Sequence, residues 1–301
     1  MLTLKIANFR LLLFSCLLPI GLLGKLDLKD GDSFVFLGDS ITHRGPYSQY
    51  IETFYVTRYP ERRISFMNAG ISGDKAGDAL ARFEEDVAAF KPDYVSVMLG
   101  MNDGQYLDFS QEIFGTYRED MDKVLGRIEE IGAVPIVISP TIFDQQQYTL
   151  RCQDPEFRFI RLHASDHYNG TMALFGAWGR ERAMAEKWDY VNFWGPLNDL
   201  TVDQRKEDPQ FTFVEDAIHP GPIGHAIMAH AFLEEVEPDR RIVSAVTARM
   251  QNGKWRVTGR NAAISEVKGS EDTLTFTVKA ASLPWVLPEE ARPGYELSKS
   301  G

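Results

Sequence analysis

The chain has 301 residues with 32 Lys and Arg against 43 Asp and Glu, which gives a formal net charge of −11. Its hydrophobic share of 44% and charged share of 25% are those of a packed globular protein with one large domain, or one domain and an appendage, and they exclude disordered, collagen-like and coiled-coil classes. The negative charge, with no run of Lys and Arg, argues against a nucleic-acid partner. Two cysteines, Cys16 and Cys152, are too few for a disulfide framework or a four-cysteine zinc site.

The first 24 residues have the pattern of a secretory signal peptide. Lys5 and Arg10 precede a mostly apolar run at residues 11–23, which is shorter than the ~20 residues that span a bilayer. The alternatives for this segment are a membrane anchor or a buried first helix, and Cys16 is a weak candidate for lipid attachment. We expect cleavage near Gly24, a secreted or periplasmic protein, and no stable membrane insertion of the mature chain.

Strands and helices alternate over the next two hundred residues. Apolar runs that end at glycine or a polar turn predict strands at residues 33–37, 63–68, 93–99, 134–139 and 189–194. Amphipathic spacing predicts helices at residues 47–59, 78–90, 114–131, 173–188 and 220–236. This order is typical of an α/β fold with a parallel sheet and helices on both faces. The polar, aromatic-rich stretch 141–169 is either a binding loop or a solvated insertion.

The pattern changes near residue 239. Alternation of apolar and polar residues predicts short strands at residues 242–248, 254–258 and 273–278. Three short strands bury little on their own, so they should pack on the main domain, pair with another chain, or belong to a module that continues past Gly301. The tail from Leu287 shows no closing element. We therefore divide the chain into a leader at 1–24, a main domain at 25–238 and a β-rich extension at 239–301, which would be incomplete if the chain is part of a longer protein.

Four polar blocks lie at predicted strand ends or at a helix start. In open parallel sheets such positions share one crevice at the carboxyl ends of the strands. The blocks are Gly38-Asp-Ser-Ile-Thr42, Asn68-Ala-Gly-Ile-Ser-Gly73, Gly100-Met-Asn-Asp103 and Asp216-Ala-Ile-His219.

These blocks contain the groups that acyl transfer needs. Ser40 offers a hydroxyl nucleophile, which is weak without a base in hydrogen-bond reach. His219 can be that base, and Asp216, three residues away, can orient the imidazole and stabilise its cation. The backbone N–H groups of Ser40 and Gly73 and the side-chain amide of Asn102 can receive the oxyanion. Gly73 has no Cβ, so we expect the backbone to approach closely there.

In this order the blocks resemble those of the SGNH hydrolases, also called GDSL esterases and lipases. The resemblance covers about residues 33–236 and implies a flavodoxin-like three-layer α/β/α sandwich and a serine hydrolase without metal or other cofactor. It implies that Ser40 is the nucleophile, His219 the base and Asp216 its orienting acid. It also implies an oxyanion hole formed by Ser40, Gly73 and Asn102.

Two neighbours of these groups are candidate substrate contacts. His43 follows the nucleophile closely, although it could equally be a solvated turn residue. Met101 stands where many SGNH hydrolases have a small residue, and it is expected to narrow the site.

Other chemistry-bearing residues have structural interpretations. His225 and His230 follow His219 at spacings that do not place all three on one helix face, so packing or capping roles are favoured over a zinc site. Asp39 and Asp103 are expected to brace their loops through hydrogen bonds rather than to act on substrate.

The sequence as a whole predicts a secreted carboxylic ester hydrolase that acts through an acyl-serine intermediate. Acetyl esters of carbohydrates or small molecules are the first expectation, because the aromatic residues of 141–169 could stack on sugar faces. The alternatives are a lipase or arylesterase acting on lipid or aryl esters, and a non-catalytic glycan-binding protein on a hydrolase scaffold. A phosphodiesterase would need metal ligands or an Arg cluster at the strand ends, and neither is visible. No oligomeric state is predicted.

Overall fold

A computed structural model of the chain describes residues 26–154, 156–157, 164–237, 242–270 and 272–299. The expected leader at 1–24 lies outside the described residues. Within the described ranges, no helix combines the length and apolar composition that a membrane span requires.

A five-stranded parallel sheet forms the centre of the molecule. Its strands are β1 (Ser33–Gly38), β2 (Ser65–Gly70), β3 (Tyr94–Met98), β4 (Val134–Ile138) and β5 (Asp189–Val191). Their order across the sheet is β2-β1-β3-β4-β5, and every neighbouring pair is parallel. The predicted strands are confirmed, and β1, β3 and β4 are almost wholly buried because helices cover both faces of the sheet.

Ten helices accompany the strands in the part of the chain that the structure describes. They are α1 (Ser40–Arg44), α2 (Pro46–Arg58), α3 (Ala76–Ala81), α4 (Phe83–Asp86), α5 (Gln111–Glu130), α6 (Gln145–Arg151), α7 (Tyr168–Glu186), α8 (Trp194–Gln204), α9 (Pro222–Val236) and α10 (Arg292–Lys299), together with 3₁₀ turns at Ala88–Phe90 and Glu289–Ala291. The resulting three-layer α/β/α arrangement is the predicted fold class.

The helix predicted at 78–90 is interrupted. The backbone leaves helical values at Arg82 (φ −101°, ψ 7°) and at Val87 (φ −124°, ψ −64°), so that α3, α4 and a 3₁₀ turn replace one helix. The Arg82 side chain points inward at this break and bonds to backbone carbonyls at the ends of β1 and β2. The interruption therefore serves a buried polar contact that amphipathic spacing does not reveal.

The stretch 141–169, which is described except at residues 155 and 158–163, mixes buried and exposed residues. It contains α6, and its aromatic residues Phe143, Tyr148 and Tyr168 are buried around Tyr106. Their ring faces are consequently used inside the protein. The short helix α8 was also not predicted, because Phe193 and Trp194 look like a continuation of the apolar strand before them.

The described residues of the C-terminal extension form four strands, whereas three were predicted. The first ribbon is the antiparallel pair β6 (Ala245–Gln251) and β7 (Lys254–Arg260), and the second ribbon is the pair β8 (Ala262–Gly269) and β9 (Leu274–Ala280). The prediction omitted β8 because a register shift between Ser265 and Lys268 breaks its alternation of polar and apolar residues.

After the second ribbon the chain returns to the main domain. The Ser282 hydroxyl donates to the carbonyl of Arg58 at 2.7 Å, and the Trp285 indole donates to the carbonyl of Tyr50 at 2.8 Å. Leu287 is buried, and α10 packs against α9. The prediction of a tail without a closing element is wrong, because the Arg-Pro-Gly sequence that resembles a turn is the first turn of α10, where proline is tolerated.

Candidate active site

The turn after β1 sets the position of Ser40. A Cβ added to Gly38 would lie 2.2 Å from Thr42 Oγ1 and 2.9 Å from the Met98 carbonyl oxygen, so only glycine fits this turn. Asp39 is the N-cap of α1, and its Oδ1 accepts a hydrogen bond from the Ile41 N–H at 2.9 Å. Ser40 is therefore the first residue of a helix that begins at the carboxyl edge of the sheet.

Ser40, His219 and Asp216 form a continuous hydrogen-bonded chain. His219 Nε2 lies 2.8 Å from Ser40 Oγ, and His219 Nδ1 lies 2.7 Å from Asp216 Oδ2. With Nδ1–H donating to the carboxylate, Nε2 is the ring atom that accepts the proton from the hydroxyl. The fold thus brings Ser40 into contact with His219, which lies 179 positions later in the chain and three positions after Asp216.

The loop that carries Asp216 and His219 is held by its own backbone. Asp216 Oδ1 accepts hydrogen bonds from the backbone N–H groups of Ile218 at 3.1 Å and His219 at 2.7 Å. Ala217 between them has φ +72°, a conformation that costs energy for an alanine, and its carbonyl accepts from the Asp144 N–H at 2.9 Å. Strain at this position is therefore part of how the carboxylate is oriented toward the imidazole.

Asp216 is ionised over the whole working range of a hydrolase. Partial burial alone would raise the pKa of Asp216, but hydrogen bonds from the His219 side chain and from the backbone of His219 and Ile218 lower it to about 2. A permanently charged carboxylate can stabilise the imidazolium that forms when His219 takes a proton.

Hydrogen bonds connect the loops that carry the nucleophile and the predicted oxyanion groups. The Ile71 N–H donates to the Gly38 carbonyl at 3.1 Å, and Asn102 Nδ2 donates to the Asp74 carbonyl at 3.0 Å. The Tyr106 hydroxyl donates to Asn102 Oδ1 at 3.1 Å, which fixes which end of the amide carries the donors. These hydrogen bonds connect the loops of the first three polar blocks. The contact between Ser40 and His219 connects the first block to the last.

Gly73 adopts a conformation that favours glycine. It has φ +87°, in the left-handed region, and this conformation turns the chain between β2 and α3. No other protein atom lies within 4 Å of an added Cβ, so the close approach of this backbone to a substrate stays a prediction.

Arg82 is a site residue that the motifs do not contain. Its side chain is 14% exposed, and it donates to Asp74 Oδ2 at 2.6 Å, to the Ala69 carbonyl at 2.8 Å and to the Gly38 carbonyl at 3.3 Å. One guanidinium group thus holds the ends of β1 and β2 and the residue after Gly73. Neither a motif nor helical spacing in the sequence points to Arg82.

The two candidate substrate contacts differ in their surroundings. His43 is exposed, so its ring has surface for contact with a substrate, and its Nδ1 lies 2.9 Å from the Gly70 carbonyl oxygen. Met101 is only 2% exposed and belongs to the hydrophobic core. Since its side chain offers almost no surface, the structure does not support Met101 as a substrate contact.

Asp39 and Asp103 are buried beside the site and make backbone contacts. Asp103 Oδ1 accepts from the Ala76 N–H at 2.8 Å, as Asp39 does from Ile41. Burial raises the pKa of Asp39 to about 7 and that of Asp103 to about 6, against the lowering effect of these hydrogen bonds. Both carboxyls therefore brace their loops through backbone hydrogen bonds.

The remaining histidines of α9 are packing residues. His225 is 2% exposed and its ring stacks parallel to Tyr47, and burial lowers the pKa of His225 to about 3. His230 Nε2 lies 3.6 Å from Glu234 and its ring contacts Tyr295. Among the residues that the structure describes, no group of three or more His, Cys, Asp or Glu side chains is arranged to hold a metal ion.

Comparisons with known proteins agree with this geometry. Residues 36–227 match the profile of the GDSL-like Lipase/Acylhydrolase family. An acetylxylan esterase of Geobacillus stearothermophilus is 29% identical over 231 residues, which are 70% of this chain and 96% of that enzyme. A solved structure of an acetylxylan esterase from the same organism has a TM-score of 0.54 at 26% identity and covers 70% of this chain and 96% of its own.

Two further findings concern solved structures. Catalytic mutants of the Geobacillus esterase replace a serine, an aspartate and a histidine, and the last two are three positions apart, as Asp216 and His219 are. A gut microbial diltiazem-metabolizing enzyme has a TM-score of 0.72 at 25% identity and covers 87% of this chain, whereas this chain spans 59% of the length of that protein.

Proposed function

The chain belongs to the GDSL-like lipase/acylhydrolase family and is a carboxylic ester hydrolase, and from this premise we propose that it removes acetyl groups from carbohydrate esters through an acyl-serine intermediate on Ser40. The single observation that carries the mechanism is the hydrogen-bonded chain from Ser40 through His219 to Asp216.

The reaction takes place in two halves. His219 Nε2 takes the proton of Ser40 as Oγ attacks the ester carbonyl, and the same proton passes to the alcohol oxygen when the C–O bond breaks. Water then gives a proton to His219 and attacks the acyl-Ser40 carbonyl, and Ser40 leaves with the proton returned to it. Asp216 stays ionised throughout and stabilises the imidazolium in each half.

The oxyanion of each tetrahedral intermediate is assigned to the N–H groups of Ser40 and Gly73 and to Asn102 Nδ2. Removing one such donor typically costs about 10²–10³-fold in kcat. The hydrogen bond from Tyr106 to Asn102 Oδ1 supports this assignment, because it keeps the nitrogen of the amide on the side of the Gly73 loop.

The carbohydrate part of the proposal is supported by similarity and not by the aromatic stretch. The related enzyme of which this chain covers 96% is named for acetylxylan. Phe143, Tyr148 and Tyr168 cannot stack on sugars because they are buried. Substrate contacts would instead come from exposed groups at the rim of the site, such as His43.

Small or aryl esters are the second candidate substrate class. The neighbour with a TM-score of 0.72 is named for diltiazem metabolism, so a small molecule could replace the sugar as the alcohol part. A non-catalytic glycan-binding role is disfavoured, because binding alone does not require a serine in contact with an oriented imidazole.

We also propose export of the enzyme, on the basis of the charged and apolar pattern of residues 1–24. An N-terminal sequence of the mature protein that begins near Lys25 would support this, and a retained Met1 in the culture medium or periplasm would contradict it.

One experiment tests the activity. Acetylated xylan, p-nitrophenyl acetate and p-nitrophenyl palmitate are compared as substrates of the wild type and of Ser40→Ala. We expect release of acetate from xylan and p-nitrophenyl acetate, little turnover of the palmitate, and loss of both activities in Ser40→Ala with an unchanged melting temperature. Turnover that survives Ser40→Ala would refute the nucleophile, and a preference for palmitate would refute the acetyl assignment.

A further inference from the structure

The first ribbon (β6 and β7) separates its side chains by charge. The strands pair so that Arg249 faces Arg256, Gln251 faces Lys254 and Ala245 faces Arg260. Because side chains alternate across a strand and paired residues share a face, one face collects all four cations of the ribbon. That cationic face consists of Ala245, Thr247, Arg249, Gln251, Lys254, Arg256, Thr258 and Arg260.

The opposite face of the ribbon is apolar and covered in part. It consists of Val246, Ala248, Met250, Trp255, Val257 and Gly259. The Trp255 indole donates to the Ser270 carbonyl at 2.8 Å, and a Cβ added to Gly269 would lie 2.7 Å from its ring. The apolar face therefore packs toward the second ribbon, and all eight residues of the cationic face are exposed.

Folding does not use these four cations. Among the described residues none of them takes part in an ion pair, and residues 242–260 contain no Asp or Glu. Arg249 and Arg256 lie directly opposite each other, an arrangement that destabilises a strand pair. The chain has a net charge of −11, yet it carries four cations without anionic partners on one face, and their mutual repulsion destabilises the ribbon.

We propose that the cationic face binds a carboxylated polysaccharide, a polymer of the polyuronate class. Arg guanidinium groups match carboxylates with two parallel hydrogen bonds. Alternate residues of an extended strand are about 6.6–6.8 Å apart, so Lys254 and Arg256 form part of a linear array along β7. Thr247, Thr258 and Gln251 between the cations can bond to sugar hydroxyls. The proposal rests on the carbohydrate-ester function proposed above.

A nucleic-acid partner fits this face less well than a polyuronate. Single-stranded nucleic acid is held by aromatic side chains on which bases stack, and the only aromatic residue of the ribbon, Trp255, lies on the opposite face. Duplex binding would need a larger basic surface on a protein that is otherwise acidic.

The cationic face is separate from the reacting groups. The segment that follows the ribbons is anchored at the carbonyls of Thr57 and Arg58, at the C-terminal end of α2, and the segment before them follows the C-terminal end of α9. Ser40 and His219 precede the N-terminal ends of these same helices. Polymer binding should therefore leave hydrolysis of a small ester unchanged.

The test compares two double variants with equal loss of charge in the full chain. Arg249→Gln with Arg256→Gln removes two cations from the cationic face, and Lys268→Gln with Lys279→Gln removes two exposed cations from the second ribbon. Affinity electrophoresis in gels that contain polygalacturonate, neutral dextran or no polymer measures binding. Hydrolysis of p-nitrophenyl acetate is measured in parallel.

We expect polygalacturonate, and neither dextran nor the gel without polymer, to retard the wild type, and added salt to weaken this binding. The arginine variant should bind polygalacturonate about ten-fold more weakly, and the lysine variant should bind it as the wild type does. The rate of p-nitrophenyl acetate hydrolysis should be the same in all three proteins. Equal retardation of the two variants, or none of the wild type, would overturn the proposal even if esterase activity is normal. Tighter binding of an oligothymidylate than of polygalacturonate, or self-association without polymer that the arginine variant abolishes, would overturn it in favour of nucleic acid or a second copy of the chain.

Discussion

Arg82 shows how one side chain can position several catalytic elements. Its guanidinium group reaches the carbonyls of Gly38 and Ala69 and the carboxylate of Asp74. These acceptors lie directly next to the nucleophile turn and the Gly73 turn. Arg82 is therefore a positioning residue, since it acts through the loops that it connects.

Replacing Arg82 by Lys should lower kcat about ten-fold or more with little change in KM. A lysine ammonium cannot reach three acceptors in the fork geometry of a guanidinium, and a displacement of about 1 Å at the reacting groups can cost about 10²-fold. The matched control is Arg127→Lys on α5, whose exposed ion pairs with Glu84 and Glu130 contribute at most about 1 kcal/mol. Equal kinetics of the two variants would show that Arg82 is dispensable to the site.

The buried carboxyl of Asp39 makes stability depend on pH. Its pKa is about 7 in the folded chain, above the value of about 3.9 in an unfolded one. The folded state therefore binds more protons between these two values, and the free energy of unfolding falls as pH rises through that interval.

Asp39→Asn should flatten this dependence. Asparagine keeps an oxygen that can accept from the Ile41 N–H but cannot ionise. Urea unfolding at pH 5 and pH 8 should give a loss of stability between these values that is smaller in the variant by about 2 kcal/mol. Parallel curves for variant and wild type would mean that Asp39 does not titrate in this range.

At the scale of elements, β2 and α1 meet at a glycine. A Cβ added to Gly70 would lie 2.3 Å from the backbone nitrogen of His43 and 2.7 Å from the carbonyl carbon of Thr42. The helix that starts with Ser40 therefore rests directly on the end of β2, and backbone atoms cannot give way as a flexible side chain could.

Gly70→Ala should consequently destabilise the protein by about 2–4 kcal/mol and reduce esterase activity. The control is Gly115→Ala on α5, where an added Cβ meets nothing within 4 Å and a gain of up to about 1 kcal/mol is expected. Chemical denaturation and p-nitrophenyl acetate turnover distinguish the two. A stable and active Gly70→Ala would show that α1 can move without consequence.

The sequence predicts well those elements whose apolar residues form a continuous run or repeat at helical spacing. Strands β1, β3 and β4 were predicted because their residues are apolar on both faces, and α2 and α5 because their buried residues repeat at helical spacing. The elements that were missed owe their form to distant partners. The break at Arg82 depends on the ends of β1 and β2, α6 lacks an apolar stripe, and β8 contains a register shift.

The site divides in the same way. Ser40, Asp216, His219, Gly73 and Asn102 stand in short motifs, so residue type and order were enough to single them out. Arg82 and Tyr106 lie outside the motifs, and only the fold brings them to the catalytic loops. Met101 was misjudged as a substrate contact because a position next to Asn102 in sequence does not determine where its side chain points.

On the scale of the whole molecule, the two ribbons are an insertion between segments that both pack on the main domain. Asn261 Nδ2 donates to the carbonyls of Ile242 at 2.6 Å and Val243 at 2.8 Å, and lies 2.9 Å from the Ser282 hydroxyl. The chain thus leaves and re-enters the main body within reach of a single side-chain atom.

Replacing residues 245–280 by a short Gly-Ser linker should leave p-nitrophenyl acetate hydrolysis within about two-fold of wild type, because the ribbons are exposed on most of their surface and contribute little to the core. Truncation after Ser282 should instead lower the melting temperature by about 10 °C or more, since it uncovers the surfaces against which Leu287 and Ala291 are buried. If the linker variant proves to be the less stable of the two, the ribbons are part of the folding core.

The two buried carboxyls next to the catalytic loops make the support of the site depend on pH. Burial raises the pKa of Asp39 to about 7 and that of Asp103 to about 6, so a rise from mildly acidic to mildly alkaline pH forces charge onto both groups where water cannot stabilise it. Asp39 caps the helix that begins with Ser40, and Asp103 accepts from the Ala76 N–H. A preparation kept at mildly acidic pH should therefore retain its activity longer than one stored at pH 8.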